Sequence, residues 1–195
     1  MVGPPEPVEA RTTRTVTRRS VIALGAAGVA AVCAGCAAGS DADPVGDDGF
    51  GGRIDAGSER SIRHRVRRDG LAYVPLARTY VVAYPTDRVD AALALYPESI
   101  HPSLHAGLLG LYQRCTHLGC RVPYCATSGQ FECPCHTSVF SAVGEYRAGP
   151  APRGLDLFPL SVVHGRVVLD TSRVVEGLGR RQQPSGDTAD GPTCI

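Results

Sequence analysis

The chain has 195 residues and a formal charge of +1. That is enough for one domain of ordinary size with appendages, and too balanced in charge to draw in nucleic acid by bulk electrostatics. Trp is absent, whereas Gly (23) and Pro (15) are plentiful, which argues against a helical bundle and for a loop-rich, mostly β domain. Eight cysteines stand at 33, 36, 115, 120, 125, 133, 135 and 194. The crowding between 115 and 135 reads as a metal site in a reducing compartment, and also as disulfides in an oxidising one.

Residues 17–23 read Thr-Arg-Arg-Ser-Val-Ile-Ala, and no charged residue occurs from Ser20 to Ala38. A positive stretch before an apolar run is an export signal, and Arg18-Arg19 matches the twin-arginine variety. Two further readings of residues 1–38 stay open. An uncleaved N-terminal apolar helix of about 19 residues just spans a ~30 Å hydrocarbon core. Alternatively, Ala34-Gly35-Cys36 resembles the end of a bacterial lipobox, with Cys36 lipidated. Each reading places the remainder on the extracytoplasmic side of a membrane.

Residues 39–60 are small, acidic and Gly-bearing, and are expected to be a flexible linker. A folded domain is expected over 61–176. Arg63, Arg65, Arg67 and Arg68 read as a solvated strand or coil. Leu71 to Pro75, Thr79 to Tyr84 and Leu108 to Tyr112 read as strands, and Asp90 to Tyr96 as a short helix. Phe158 to Val163 and Arg166 to Asp170 read as a hairpin turning at His164-Gly165. Residues 177–195 are polar with Gly and Pro and are expected to be disordered. His64, His101, His105 and His164 read as surface or structural residues. Cys125 reads as a packing residue or a free thiol, and Cys194 has no evident role.

The chemistry lies in two short motifs. Residues 115–120 read Cys-Thr-His-Leu-Gly-Cys and residues 133–136 read Cys-Pro-Cys-His. Each half offers a thiol and an imidazole close together. Two such halves suit one zinc as Cys₂His₂, or a two-iron cluster with two thiolates on one iron and two imidazoles on the other.

These motifs resemble the Rieske iron–sulfur proteins of cytochrome bc complexes. Gly149-Pro150-Ala151-Pro152 is similar to the proline loop that covers the cluster in that family. The resemblance spans about residues 108–170. It implies one [2Fe–2S] cluster with Cys115 and Cys133 on the buried iron, His117 and His136 on the outer iron, and a disulfide between Cys120 and Cys135. It implies that Ser138 donates a hydrogen bond to a bridging sulfide and that His136 is the quinol-facing histidine. It also implies an all-β Rieske fold, in which a small antiparallel base carries an inserted cluster-binding subdomain at about 112–158.

Two positions depart from the family pattern. Thr137 stands where Gly is usual, and a non-Gly residue at positive φ costs on the order of 1 kcal/mol. Phe140 stands where high-potential members have Tyr. One hydroxyl donor fewer to a cluster sulfur lowers the potential by roughly 40–65 mV, which favours menaquinol over ubiquinol as donor. The implied function is that of the iron–sulfur subunit of a quinol–cytochrome c reductase, with cytochrome b and cytochrome c subunits as partners. The alternative is the Rieske small subunit of another exported oxidoreductase, such as an arsenite oxidase.

Overall fold

The computed structural model describes Gly3 and residues 49–195. The twin-arginine motif, the apolar segment and Cys36 lie outside the described residues. Among the described residues no helix is long and apolar enough to cross a membrane.

The chain runs β1 (Arg53–Ser58), α1 (Glu59–Asp69), β2 (Ala72–Val74), β3 (Thr79–Ala83), α2 (Val89–Leu93), α3 (His101–His105) and β4 (Leu108–Tyr112). It continues through β5 (Tyr124–Cys125), β6 (Gln130–Glu132), β7 (Val139–Phe140), β8 (Tyr146–Ala148), β9 (Leu157–Phe158), β10 (Leu160–Val163) and β11 (Arg166–Asp170). The described strands form antiparallel sheets with the orders β1-β11-β10, β2-β3-β4-β9 and β5-β6-β7-β8.

The middle sheet is covered on both faces, so β3 and β4 read as nearly continuous apolar runs. Side chains alternate across a strand. Val81 and Leu108 therefore join Ile54, Ile62, Phe158 and Leu169 on one side. Tyr80, Val82, Leu109 and Leu111 join Phe131, Phe140 and Leu155 on the other. This second core also contains Cys115 and Cys133. The chain leaves the middle sheet at Tyr112 and returns at Leu157, which pairs with Leu111; the third sheet and its loops lie between.

The expected strand from Phe158 to Val163 is in fact two strands. Leu157 and Phe158 pair with β4, whereas Leu160 to Val163 pair with β11. Pro159 sits between them and has no N–H to continue a ladder.

The expected linker 39–60 ends earlier than the composition suggested, because β1 already pairs with β11 from Arg53 onward. The bulge at Gly57 bends this strand: its N–H donates to Asp55 Oδ1 at 2.8 Å, and Asp55 also pairs with Arg166. The arginine run is helix α1 rather than strand or coil. Ser58 Oγ caps it, accepting from Ser61 N at 3.3 Å, and Ile62 and Val66 share its buried face. Gly70 ends it at φ 79°, its N–H donating to Val66 O. A Cβ there would also lie 2.4 Å from the Tyr124 hydroxyl, so the conformation requires glycine and a side chain would have to displace the Tyr124 ring.

The expected disordered tail is a strap. Gly154 N donates to Leu178 O at 2.8 Å, and Leu178 is buried. Cys194 forms a disulfide with Cys125. Composition misled here because the strap is held mainly through its backbone and by distant partners, with Leu178 its one buried leucine.

Candidate metal centre

Two loops of the same build form the site. In the first, Gly119 N donates to Cys115 O at 2.9 Å and Cys115 N donates to Cys120 O at 2.7 Å. In the second, Thr137 N donates to Cys133 O at 3.0 Å and Cys133 N donates to Ser138 O at 2.8 Å. Each loop thus turns tightly around its leading cysteine and satisfies that residue's backbone. The disulfide Cys120–Cys135 joins the two loops.

Cys115 and Cys133 are free thiols and both are buried. Burial pushes the Cys115 thiol up; the His117 amide N–H and the Ser138 hydroxyl, both hydrogen-bonded to it, act the other way. The His117 and His136 rings lie edge to face with centroids 4.8 Å apart. His136 is exposed, and His117 is half-buried. His117 Nδ1 is buried without a hydrogen-bond partner. An orphaned ring nitrogen in the interior is costly unless something binds it. Cys133, Cys120 and Cys135 hold their sulfurs within 4.8 Å of one another, but the last two are spent in the disulfide and cannot act as thiolates. The donors left are two thiols and two imidazoles, which fits a two-iron cluster with mixed sulfur and nitrogen ligation.

A third segment closes over the second loop. A Cβ on Gly149, whose φ is +88°, would fall 2.5 Å from Ser138 Cα and 2.6 Å from Thr137 O, so only glycine lets the two backbones meet. Ala151 N donates to Ser138 Oγ at 3.1 Å, leaving the Ser138 hydroxyl hydrogen for the Cys115 sulfur. Thr116 Oγ1 donates to Arg153 O at 2.9 Å, tying the first loop to the same segment. Pro150 is exposed on this turn. Phe140 is fully buried in the core that holds Cys115 and Cys133, opposite Phe131 on the neighbouring strand.

The structure therefore gathers Cys115, His117, Cys120, Cys133, Cys135, His136 and Ser138 at one end of the third sheet. His101 and His105 stand apart on α3, where the His101 ring bonds the Tyr96 carbonyl. Sequence reasoning missed the Cys125–Cys194 disulfide. Parity was the available signal: once the cluster ligands and the first disulfide are assigned, two cysteines remain beyond residue 49.

Residues 77–159 match the family model described as Rieske [2Fe-2S] domain. The cytochrome b6-f complex iron-sulfur subunit of Synechococcus elongatus is 46% identical over 63 residues, covering 32% of this chain and 35% of that one. The cytochrome b6-f complex iron-sulfur subunit 2 of Trichormus variabilis is 36% identical over 96 residues, covering 48% of this chain and 51% of that one. The chain thus spans between about a third and a half of the length of these relatives. Among solved structures, the cyanobacterial plasma membrane Rieske protein PetC3 from Synechocystis PCC 6803 aligns over 60% of this chain and 98% of its own. Its TM-score is 0.41 and its identity 22%.

Proposed function

Residues 77–159 being a Rieske [2Fe-2S] domain, whose cofactor is one [2Fe–2S] cluster, we propose that the chain is the electron-transfer subunit of a quinol–cytochrome c reductase of the bc type. Cys115 and Cys133 would supply the cluster's thiolate ligands, and His117 and His136 its imidazole ligands. The observation that carries the reading is the donor set: two buried free thiols, two imidazoles in contact, and an orphaned Nδ1 on His117. The names of the relatives in cytochrome b6-f complexes support the type of assembly.

When bound, the cluster takes up and gives back one electron, in a range of about −150 to +300 mV for this mixed ligation. The chain's own residues do the rest. His136, exposed at the tip, offers the ring nitrogen not engaged with iron to a quinol hydroxyl. That nitrogen accepts the hydrogen bond and then the proton. Ser138 donates its hydroxyl hydrogen inward, and the segment 149–152 holds the second loop through Ala151 N–H on Ser138 Oγ. The segment around Arg18-Arg19 directs export. The apolar stretch, or a lipid on Cys36, anchors the head on the extracytoplasmic side, beside cytochrome b and cytochrome c subunits. Menaquinol is the favoured donor.

The test is an EPR spectrum of the reduced protein, with iron and labile sulfide assayed. A rhombic two-iron signal at about two irons per chain is expected. A colourless, zinc-loaded, redox-silent protein overturns the proposal. His136→Cys is expected to abolish quinol oxidation, and wild-type turnover in that variant removes His136 from its role.

A further inference from the structure

Arg180 of the strap 177–195 reaches the segment that closes over the candidate centre. Arg180 Nε donates to Ala151 O at 2.8 Å, and its Nη2 donates to Pro150 O at 2.9 Å and to Gly149 O at 3.5 Å. One guanidinium thus gathers three successive carbonyls of the segment that closes over Thr137 and Ser138. Its flat face lies over the Tyr146 ring at 4.7 Å, and the Tyr146 hydroxyl donates to Gly149 O at 2.7 Å. A planar fork with several fixed donors suits this task, whereas an ammonium, a single point of charge, does not.

The strap is pinned on the far side of Arg180, and the pins are buried carboxylates. Glu145 is 1% exposed and accepts from Ser185 N and Ser185 Oγ at 2.9 and 2.6 Å. Glu132 is 1% exposed and accepts from Cys194 N at 2.7 Å, beside the Cys125–Cys194 disulfide. A buried carboxylate is costly unless hydrogen-bonded. Both obtain donors from the strap, so the strap's path is fixed from its end back to Arg180.

We infer that Arg180 is a positioning residue for the iron–sulfur centre. Held by the carboxylate-pinned, disulfide-closed strap, it fixes the segment 149–152 so that Ala151 N–H occupies the acceptor side of Ser138 Oγ and leaves the hydroxyl hydrogen aimed at the cluster. The inference rests on the cluster reading above, but its first consequence concerns the polypeptide alone.

The experiment uses the full chain, loaded with iron and sulfide, as wild type, Arg180→Ala, Arg180→Lys and Cys194→Ser. Amide exchange of Ala151, midpoint potential and the EPR line shape are read on each. Arg180→Ala is expected to speed Ala151 exchange on the order of tenfold, the scale of losing a charge-assisted hydrogen bond, while β11 amides stay at the wild-type rate. The potential and the EPR g values shift together with it. Arg180→Lys keeps the charge and loses the fork, so it follows Arg180→Ala. Cys194→Ser loosens the strap from its end and shifts the same observables less.

Unchanged Ala151 exchange in Arg180→Ala overturns the inference. So does faster exchange with an unmoved potential, because the strap then braces a turn that does not tune the centre. A lysine variant with wild-type potential beside a shifted alanine variant also overturns it, because the effect is then charge alone. Absence of a two-iron EPR signal in the loaded wild type instead overturns the cluster reading itself.

Discussion

Gly119 and Thr137 hold the same place in two copies of one loop. Each sends its amide N–H to the carbonyl of the cysteine four residues before it, and each has a positive φ, +83° and 57°. Glycine meets this conformation freely in the first loop, whereas in the second a β-branched residue is forced into it. The left-handed region costs an L-residue about 1–2 kcal/mol, against about 0.5–1 kcal/mol of extra chain entropy that glycine loses on folding.

Thr137→Gly is therefore expected to stabilise the fold by about 0.5–1 kcal/mol, read as a higher urea midpoint at unchanged slope. A lower midpoint means that the Thr137 side chain makes contacts worth more than its backbone strain.

Cys120→Ser is expected to lower unfolding free energy by about 3 kcal/mol, since the bridge to Cys135 closes a loop of 15 residues. The variant should also lose iron faster in the presence of a chelator, because the two motif loops are then joined only through the core and their hydrogen bonds to the segment 149–153. Equal iron retention in variant and wild type would show that packing alone holds the loops together.

Phe140→Tyr is expected to raise the midpoint potential by roughly 40–65 mV, the value of one hydroxyl donor to a cluster sulfur for a one-electron couple. Phe140 is fully buried in the core of Cys115 and Cys133, so the new hydroxyl must find an acceptor there. A potential equal to wild type, with the fold intact, would place the hydroxyl away from the cluster.

Asp55 governs acid stability at the edge of the base. Burial raises its pKa, but the hydrogen bond from Arg166, the Gly57 N–H and the Arg166 charge together bring it below its ordinary value. A carboxylate with a depressed folded pKa stabilises the protein above the unfolded pKa of about 3.9, and that contribution fades as pH falls through the folded value. Asp55→Asn should thus unfold more easily than wild type near neutrality, and the difference between the two should shrink in acid. A difference that stays constant from neutral pH to pH ~3 would contradict the assignment.

What was legible in the sequence follows from what the physics leaves visible there. Metal ligation demands particular residue types at short spacing, so Cys115, His117, Cys133 and His136 stood out. Strands buried on both faces show as apolar runs, so β3 and β4 were found with nearly their observed bounds. Helix α1 was hidden because only Ile62 and Val66 of its residues are buried. Its signals were the Ser58 cap, Glu59 in the first turn, Arg67 and Arg68 in the last, and Gly70 beyond. Strand β1 was obscured by its small, bulged middle. The strap was invisible because its partners, Glu132, Glu145 and Cys125, lie about forty or more residues away, and no local pattern reports a contact at that distance.

The pairing of β1 with β11 sets Arg53 against Asp170, joining the ends of nearly the whole described head. Such a pairing closes a very long loop, and loop closure of this kind slows folding. During synthesis at about 5–20 residues per second, β1 therefore emerges many seconds before its partner strand is made. For that interval it is an unpaired edge, with Ile54 bare, open to strands of other chains. A ribosome-bound fragment ending before Arg166 lacks β11 and so cannot complete the sheet that pairs it with β1 and β10.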